Sequence, residues 1–457
     1  MPLELIVISL MRTSKWINVL MLNTPEEDFG QLQSRRIDVS SDGIRWIERD
    51  FEQFTPLGKF FEINTNPEAG ITVDKETSNA TALKLRLVRI NDAALEQETV
   101  NVGIEKLQLL LNESMACALH CTNCYNELVA ERCFSSIRPV PVPTMEPLKY
   151  FSSKKRMTTA MDEGELYYAI NYIVISPQSL GKGVLQCGGN IHCARCLQLV
   201  GESLGESLGE KLAAQLYVDT LWMAPGAQTG LPEGRLEKLF GQVTVSQLML
   251  HLLQSAVPIS DEKTRVFLKT VRPDGQLHYM LLLVDTNPLH MLRSKLSLIE
   301  DLNISSSPKD SDYDADASLT SNSDSSIESI VENSSDSDSD SDSDFTTDDS
   351  GPRAKRRRCG RRYESKPVHE VKVRGYRGCR LIYYMFSTDE ELTANTKLIE
   401  QWRKEGTPML RISYMMMMDL LRELTVNELL VATMERLIPN EKEGRVSYII
   451  FEPDEDN

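Results

Sequence analysis

The chain has 457 residues, of which 41% are hydrophobic and 26% charged, and a formal net charge of −17. Its length fits about two or three domains. Residues 301–350 carry 13 Asp and 2 Glu against one Lys, residues 351–362 carry 7 Arg or Lys, and the rest is mildly acidic. That balance speaks against a general nucleic-acid binder, which needs a basic face to displace counterions from phosphates, and against a membrane-surface role. No window approaches the roughly 20 apolar residues of a spanning helix, and Met1–Leu10 lacks the basic start and small-residue cleavage site of a signal peptide. The expectation is an intracellular, cytoplasmic chain, and nine cysteines suit a reducing compartment where clustered thiols bind metal more often than they pair.

In chain order, residues 1–115 read as a β-rich domain. Apolar runs at Leu5–Met11, Trp16–Leu22, Ile37–Ile47, Phe60–Asn64, Ile71–Asp74 and Leu83–Ile90 are separated by turn residues, and the last alternates apolar with charged positions. Residues 116–300 hold most of the cysteines, strands at Glu165–Ile175 and Gln215–Trp222, and Arg138-Pro139-Val140-Pro141-Val142-Pro143, which proline keeps extended. A helix is predicted near Val243–Ala256 with Ser246 near its start. A hairpin follows, Arg265–Val271 and Leu277–Asp285 around Pro273-Asp274-Gly275. Residues 301–368 form an acidic then basic linker. It reads as disordered, because so few apolar residues cannot offset the entropy of ordering. Its Ser-Asp tract suits acidophilic kinases, and Lys355-Arg356-Arg357-Arg358 offers a nuclear-import signal, although a solvated linker explains both equally well. Residues 369–457 show strands at Val371–Val373, Cys379–Phe386 and Val446–Phe451 and helices at Ser413–Leu424 and Val426–Leu437. This segment is small for an independent domain. The expected fold is therefore α+β: a β-rich N-terminal domain, a zinc-stapled central β region, and a C-terminal α+β segment completing the core across a long acidic insertion.

Cys121-Thr122-Asn123-Cys124 and Cys193-Ala194-Arg195-Cys196 are two C-x-x-C pairs, each preceded by a histidine, His120 and His192. Two residues between thiolates let one tight turn present both sulfurs to a tetrahedral ion at about 2.3 Å, and four thiolates close a structural zinc site. Reduced core cysteines are the competing reading, and a redox motif would need a C-x-x-C opening a helix. With four sulfurs filling the shell, the histidines are flanking residues. Catalytic motifs are otherwise thin: Gly181-Lys182-Gly183 lacks the rest of a phosphate-binding loop, and Cys117, Cys133, Cys187 and Cys379 read as structural thiols before nucleophiles. The Met415–Met418 stripe reads as helix core.

The series Leu119-His120-Cys121-Thr122-Asn123-Cys124-Tyr125-Asn126-Glu127-Leu128, then Ile137-Arg138-Pro139-Val140-Pro141-Val142-Pro143, then His192-Cys193-Ala194-Arg195-Cys196-Leu197-Gln198-Leu199-Val200-Gly201-Glu202 resembles the HECT-like ubiquitin ligases that bind a ubiquitin-conjugating enzyme. The resemblance implies an E3 ubiquitin-protein ligase that takes ubiquitin from a conjugating enzyme, with the partner-binding segment at about Cys196–Tyr217. It also implies a link to messenger-RNA 3′-end formation, as a partner or inhibitor of the cleavage endonuclease. That second role needs binding alone, for which the acidic Glu452-Pro453-Asp454-Glu455-Asp456 offers a potential complementary to a basic cleft. HECT ligases pass ubiquitin through a cysteine near the C-terminus, whereas the last cysteine here is Cys379, and Lys149-Tyr150-Phe151-Ser152 stands where family members carry Trp-Cys-Cys-His. No thioester cysteine is evident, so a ligase built on this chain would act by holding the charged conjugating enzyme near its substrate.

Overall fold

The computed structural model describes residues 3–23, 36–48, 51–66, 72–77, 80–99, 107–113, 115–140, 161–207, 210–226, 236–241, 244–256, 263–285, 289–294, 368–431 and 444–451. The chain divides into two compact units, Met1–Leu296 with Val368–Asn457, and Ser297–Pro367. The second unit, with its acidic and basic tracts, lies outside the described residues, as do Pro141–Pro143 and the tail Glu452–Asp456.

The alternating apolar runs near the N-terminus form antiparallel neighbours: Leu3–Met11 pairs with Trp16–Asn23, which pairs with Ala80–Ile90. The run expected at Ile37–Ile47 is a hairpin, Arg36–Ser40 and Gly43–Glu48, because Ser40 Oγ donates to Asp42 Oδ1 (2.7 Å) and to the Gly43 carbonyl (3.0 Å) and closes a turn. Phe51–Pro56 extends this hairpin. The short helix α1, Asp92–Glu98, starts where Asn91 Oδ1 accepts the Ala94 amide at 3.3 Å.

The spine of the molecule is the 14-residue strand Val373–Phe386. Along one edge it takes Leu277–Asp285 and then Leu289–Ser294, and along the other Arg445–Phe451. Leu289–Ser294 also pairs with Leu3–Met11, so the two ends of the chain share one sheet, eleven-stranded among the described residues. The C-terminal segment thus completes a core begun before the acidic tract. The expected hairpin is present as Lys263–Val271 and Leu277–Asp285, with Gly275 at φ +89° in its turn.

Helices cover both faces of this sheet. Successive strand residues point to opposite faces. Val266, Leu268, Met280 and Leu282 accordingly meet Leu248, Leu252 and Leu253 of helix α2, Val245–Ala256. Thr244 and Gln247 cap α2 reciprocally (Oγ1 accepts the Gln247 amide at 3.2 Å, Oε1 the Thr244 amide at 3.0 Å), which sets its start at Val245, with Ser246 the second helical residue. Phe267, Tyr279 and Leu281 face the other way, onto Ile399 and Trp402. Those two belong to a pair of unforeseen helices, α3 at Asp389–Ala394 and α4 at Thr396–Lys404, the first opened by a Thr388/Glu391 capping box. Helix α5, Tyr414–Glu428, adds Met416, Met417, Leu420 and Leu424 to the α2 face; of the methionine stripe expected as core, Met416 and Met417 are buried, Met418 is half-buried and Met415 is exposed. The start of the second helix expected there belongs to α5, and residues 432–437 lie outside the described residues.

Between these parts sit two further sheets. One is Glu127–Cys133, Ala116–Cys121 and Leu221–Pro225; the other runs Ser136–Pro139, Glu165–Tyr168, Tyr172–Ile175, Glu210–Tyr217, Leu199–Ser207, Asn190–Cys193 and Val184–Cys187. The expected strand Gln215–Trp222 is divided at Val218–Thr220, a single 3₁₀ turn in which Thr220 Oγ1 donates to the Tyr217 carbonyl at 2.8 Å. That turn carries the chain from the second sheet to the first. Their shared core buries Cys117, Leu119, Leu128, Ile173, Ile191 and Leu216.

Candidate metal centre

Each C-x-x-C begins at the last residue of a strand, Cys121 of Ala116–Cys121 and Cys193 of Asn190–Cys193. Beyond it the backbone repeats one knuckle twice. Tyr125 N donates to the Cys121 carbonyl (2.9 Å) and Cys121 N to the Asn126 carbonyl (2.9 Å); Leu197 N donates to the Cys193 carbonyl (2.9 Å) and Cys193 N to the Gln198 carbonyl (2.9 Å). Tyr125 and Leu197 both sit at φ +60°, a left-handed conformation that glycine adopts more readily. In each knuckle the histidine before the first cysteine sets its Nδ1 on the carbonyl of the left-handed residue, His120 on Tyr125 at 3.2 Å and His192 on Leu197 at 3.0 Å. The histidines therefore buttress the turns and lie outside the sulfur set.

The two knuckles meet. All four sulfurs lie within 4.8 Å of one another, with Cys121 to Cys196 at 3.6 Å and Cys124 to Cys193 at 3.4 Å. A disulfide needs about 2.05 Å, so the four are free thiols. Sulfurs at the corners of a tetrahedron with bonds of about 2.3 Å stand about 3.8 Å apart, so this cluster is close to the size that a zinc ion requires.

Gly183 joins the knuckles. Its carbonyl accepts both Ala194 N of the second knuckle (2.8 Å) and Asn126 Nδ2 of the first (2.9 Å), while a Cβ on it would lie 1.8 Å from the Glu127 carbonyl oxygen. Gly181-Lys182-Gly183 is thus a close-approach segment. Thr122 N donates to the Thr220 carbonyl (3.0 Å), and Arg195 Nη1 reaches across to the Cys124 carbonyl (3.2 Å).

Local electrostatics divide the thiols. Burial pushes Cys121 up, and Cys124 is raised for the same reason. Cys193 is also opposed by burial, but the amides of Cys196 and Arg195 and the Asn126 side chain outweigh it and bring that thiol down. Away from the cluster, burial pushes Cys117 and Cys379 up to about 12, which makes them poor nucleophiles. Cys133 and Cys187 are exposed.

The family model described as HECT-like ubiquitin-conjugating enzyme (E2)-binding matches residues 31–331, a span that contains both knuckles and everything that brings them together. The chain belongs to this family. No curated protein and no solved structure matches it. This HECT-like protein is therefore placed in the ubiquitin pathway as a binder of a conjugating enzyme. The segment that the resemblance assigns to that partner, Cys196–Tyr217, forms the hairpin Leu199–Ser207 and Glu210–Tyr217, with Leu199, Val200, Leu204, Leu216 and Tyr217 buried. It springs directly from the second knuckle.

Proposed function

We propose that Cys121, Cys124, Cys193 and Cys196 hold a structural zinc ion, and that the chain is a ubiquitin ligase which recruits a charged conjugating enzyme and brings its thioester close to a substrate. The observation that carries this reading is the meeting of four thiols from two separate hairpins inside the span matched by the E2-binding family. A bound zinc ion would supply a closed cross-link and no reactive position, since four protein sulfurs fill its shell. The chain's own residues then do the work. The knuckles fix the turn from which Leu199–Tyr217 departs, and the partner's orientation follows from that turn. Proximity alone supplies much of the rate of such a transfer, so no cysteine of this chain needs to carry ubiquitin.

The test is discharge of ubiquitin from a charged conjugating enzyme. The intact zinc-loaded chain accelerates it, Cys133→Ser and Cys187→Ser leave it unchanged, and Cys193→Ser abolishes it. Ubiquitin trapped on Cys133 or Cys187 would overturn the proximity mechanism, and no acceleration by the intact chain would overturn the ligase reading. Binding to the messenger-RNA 3′-end endonuclease is a separate proposal that rests on the resemblance alone.

A further inference from the structure

We propose that Asn126 and Gln198 are a reciprocal pair of positioning residues for the metal centre, each reaching from its own knuckle to the first sulfur of the opposite one. This rests on the zinc reading above. The two residues hold the same place, two positions after the second cysteine of their respective motifs, and the chain bonds both backbones identically. Asn126 Nδ2 lies 3.5 Å from Cys193 Sγ and donates at the same time to the Gly183 carbonyl at 2.9 Å, which fixes the orientation of its amide. Gln198 makes the matching reach in the other direction, with Oε1 3.2 Å from Cys121 Sγ and Nε2 2.6 Å from Met415 Sδ.

As a thiol, Cys121 donates to Gln198 Oε1. As a zinc-bound thiolate it has no proton to give and can only accept. A half-turn of the Gln198 amide then places Nε2 on the sulfur and Oε1 toward Met415, and the two knuckles become equivalent: Asn126 donates to Cys193, and Gln198 donates to Cys121. The need is electrostatic. Four thiolates around a divalent cation leave a net charge of −2, and Cys121 and Cys193 are both buried. Hydrogen bonds to the sulfurs offset that charge, and partners outside the coordination shell hold a ligand's orientation and change metal affinity by about 10–100-fold. Each amide also ties one knuckle to the other's sulfur, so the pair resists separation of the two hairpins that the ion joins.

The experiment compares zinc release to a chromogenic chelator, and the absorption of the cobalt(II)-substituted protein, for the intact full chain, Asn126→Asp, Gln198→Glu, Gln198→Leu and Gln198→Asn. The aspartate and glutamate variants keep shape but replace a donor with a charged acceptor, and release accelerates by about 10–100-fold. The leucine variant removes the donor and accelerates release to a smaller extent. Each of these three shifts the sulfur-to-cobalt charge-transfer band. Asn126 also anchors Gly183, so the Gln198 variants decide the matter if Asn126→Asp fails to fold. Release and spectra unchanged in folded Gln198→Glu and Gln198→Leu overturn the proposal. Restoration of slow release by Gln198→Asn supports a donor role over simple filling of space, and equal acceleration by asparagine and leucine counts against it. An intact chain that takes up no zinc or cobalt overturns the zinc reading itself, a distinct result.

Discussion

Gly183 shows how much a single position can carry. Its carbonyl serves both knuckles, and the space where a Cβ would stand is taken by the Glu127 carbonyl and Asn126 Nδ2, at 1.8 and 2.7 Å. The obstruction is largely backbone, so Gly183→Ala forces the two hairpins apart, destabilising the protein by about 1–3 kcal/mol and lowering metal affinity. Denaturant unfolding and metal titration of the variant check both, and unchanged values in the two assays contradict this role. The sequence displays this glycine only as part of a broken phosphate-loop pattern, because close approach of strands distant in sequence leaves no local signature. The cysteines are different. Their C-x-x-C spacing is a property of one turn and is legible at once, whereas the meeting of Cys121 with Cys196 depends on how two sheets stack. The left-handed Tyr125 and Leu197 gave no warning either, since a turn residue at positive φ is normally read from glycine or asparagine.

The start of helix α5 is docked against the sheet that carries the second knuckle. Arg411 Nη1 pairs with Glu202 Oε2 at 2.6 Å, Tyr217 donates to Glu202 Oε1 at 2.6 Å, and Ser413, the N-cap of α5, donates its hydroxyl to Asp219 while accepting the Met416 amide at 2.9 Å. Among the described residues, Asp219 Oδ1 is sealed from solvent without a hydrogen-bond partner. Burial raises this carboxyl to about 6 against the opposing Ser413 hydrogen bond. A carboxyl raised on folding takes up its proton in the native state first. Its cost is therefore present above about pH 6, and stability is regained as pH falls from about 6 to about 4. Asp219→Asn removes that cost: the variant is more stable by about 1–3 kcal/mol at pH 8, and the difference shrinks toward zero near pH 4. Urea unfolding of both proteins across that range checks the sign, and a difference that grows on acidification contradicts it. Helix α5 was legible from its apolar residues. Helices α3 and α4 were not, although Thr388-Asp389-Glu390-Glu391 is a capping box and Ile399 and Trp402 share a face; their short lengths leave too few turns for a periodic signal.

Across the whole molecule, the sheet closes through pairs far apart in sequence. Leu289–Ser294 lies between Leu3–Met11 and Val373–Phe386, with Ser294 opposite Val373. The strand types were legible from alternation, but which strand pairs with which was not, because nothing local records the partner of an edge. Ser294 lies opposite Val373, and Val368–Glu370 just before it pairs with Phe51–Pro56, so both ends of the segment 297–367 join the same unit. Replacing residues 297–367 with a Gly/Ser linker of about ten residues therefore preserves folding, with a melting temperature near that of the intact chain, since shortening a loop changes its closure entropy only slowly. Loss of cooperative unfolding in that variant would show that the segment contributes to the core. The proposed dependence of partner binding on the two knuckles joins the cysteine cluster to the family's shared property. Its most direct test is the equilibrium affinity of a ubiquitin-conjugating enzyme for the zinc-loaded intact chain and for Cys193→Ser, measured side by side. Saturable binding by the intact chain and its loss in the variant are the predicted result. Equal binding by both would contradict the claim that the cysteine centre builds the partner site, and no binding by the intact chain would contradict the proposed recruitment.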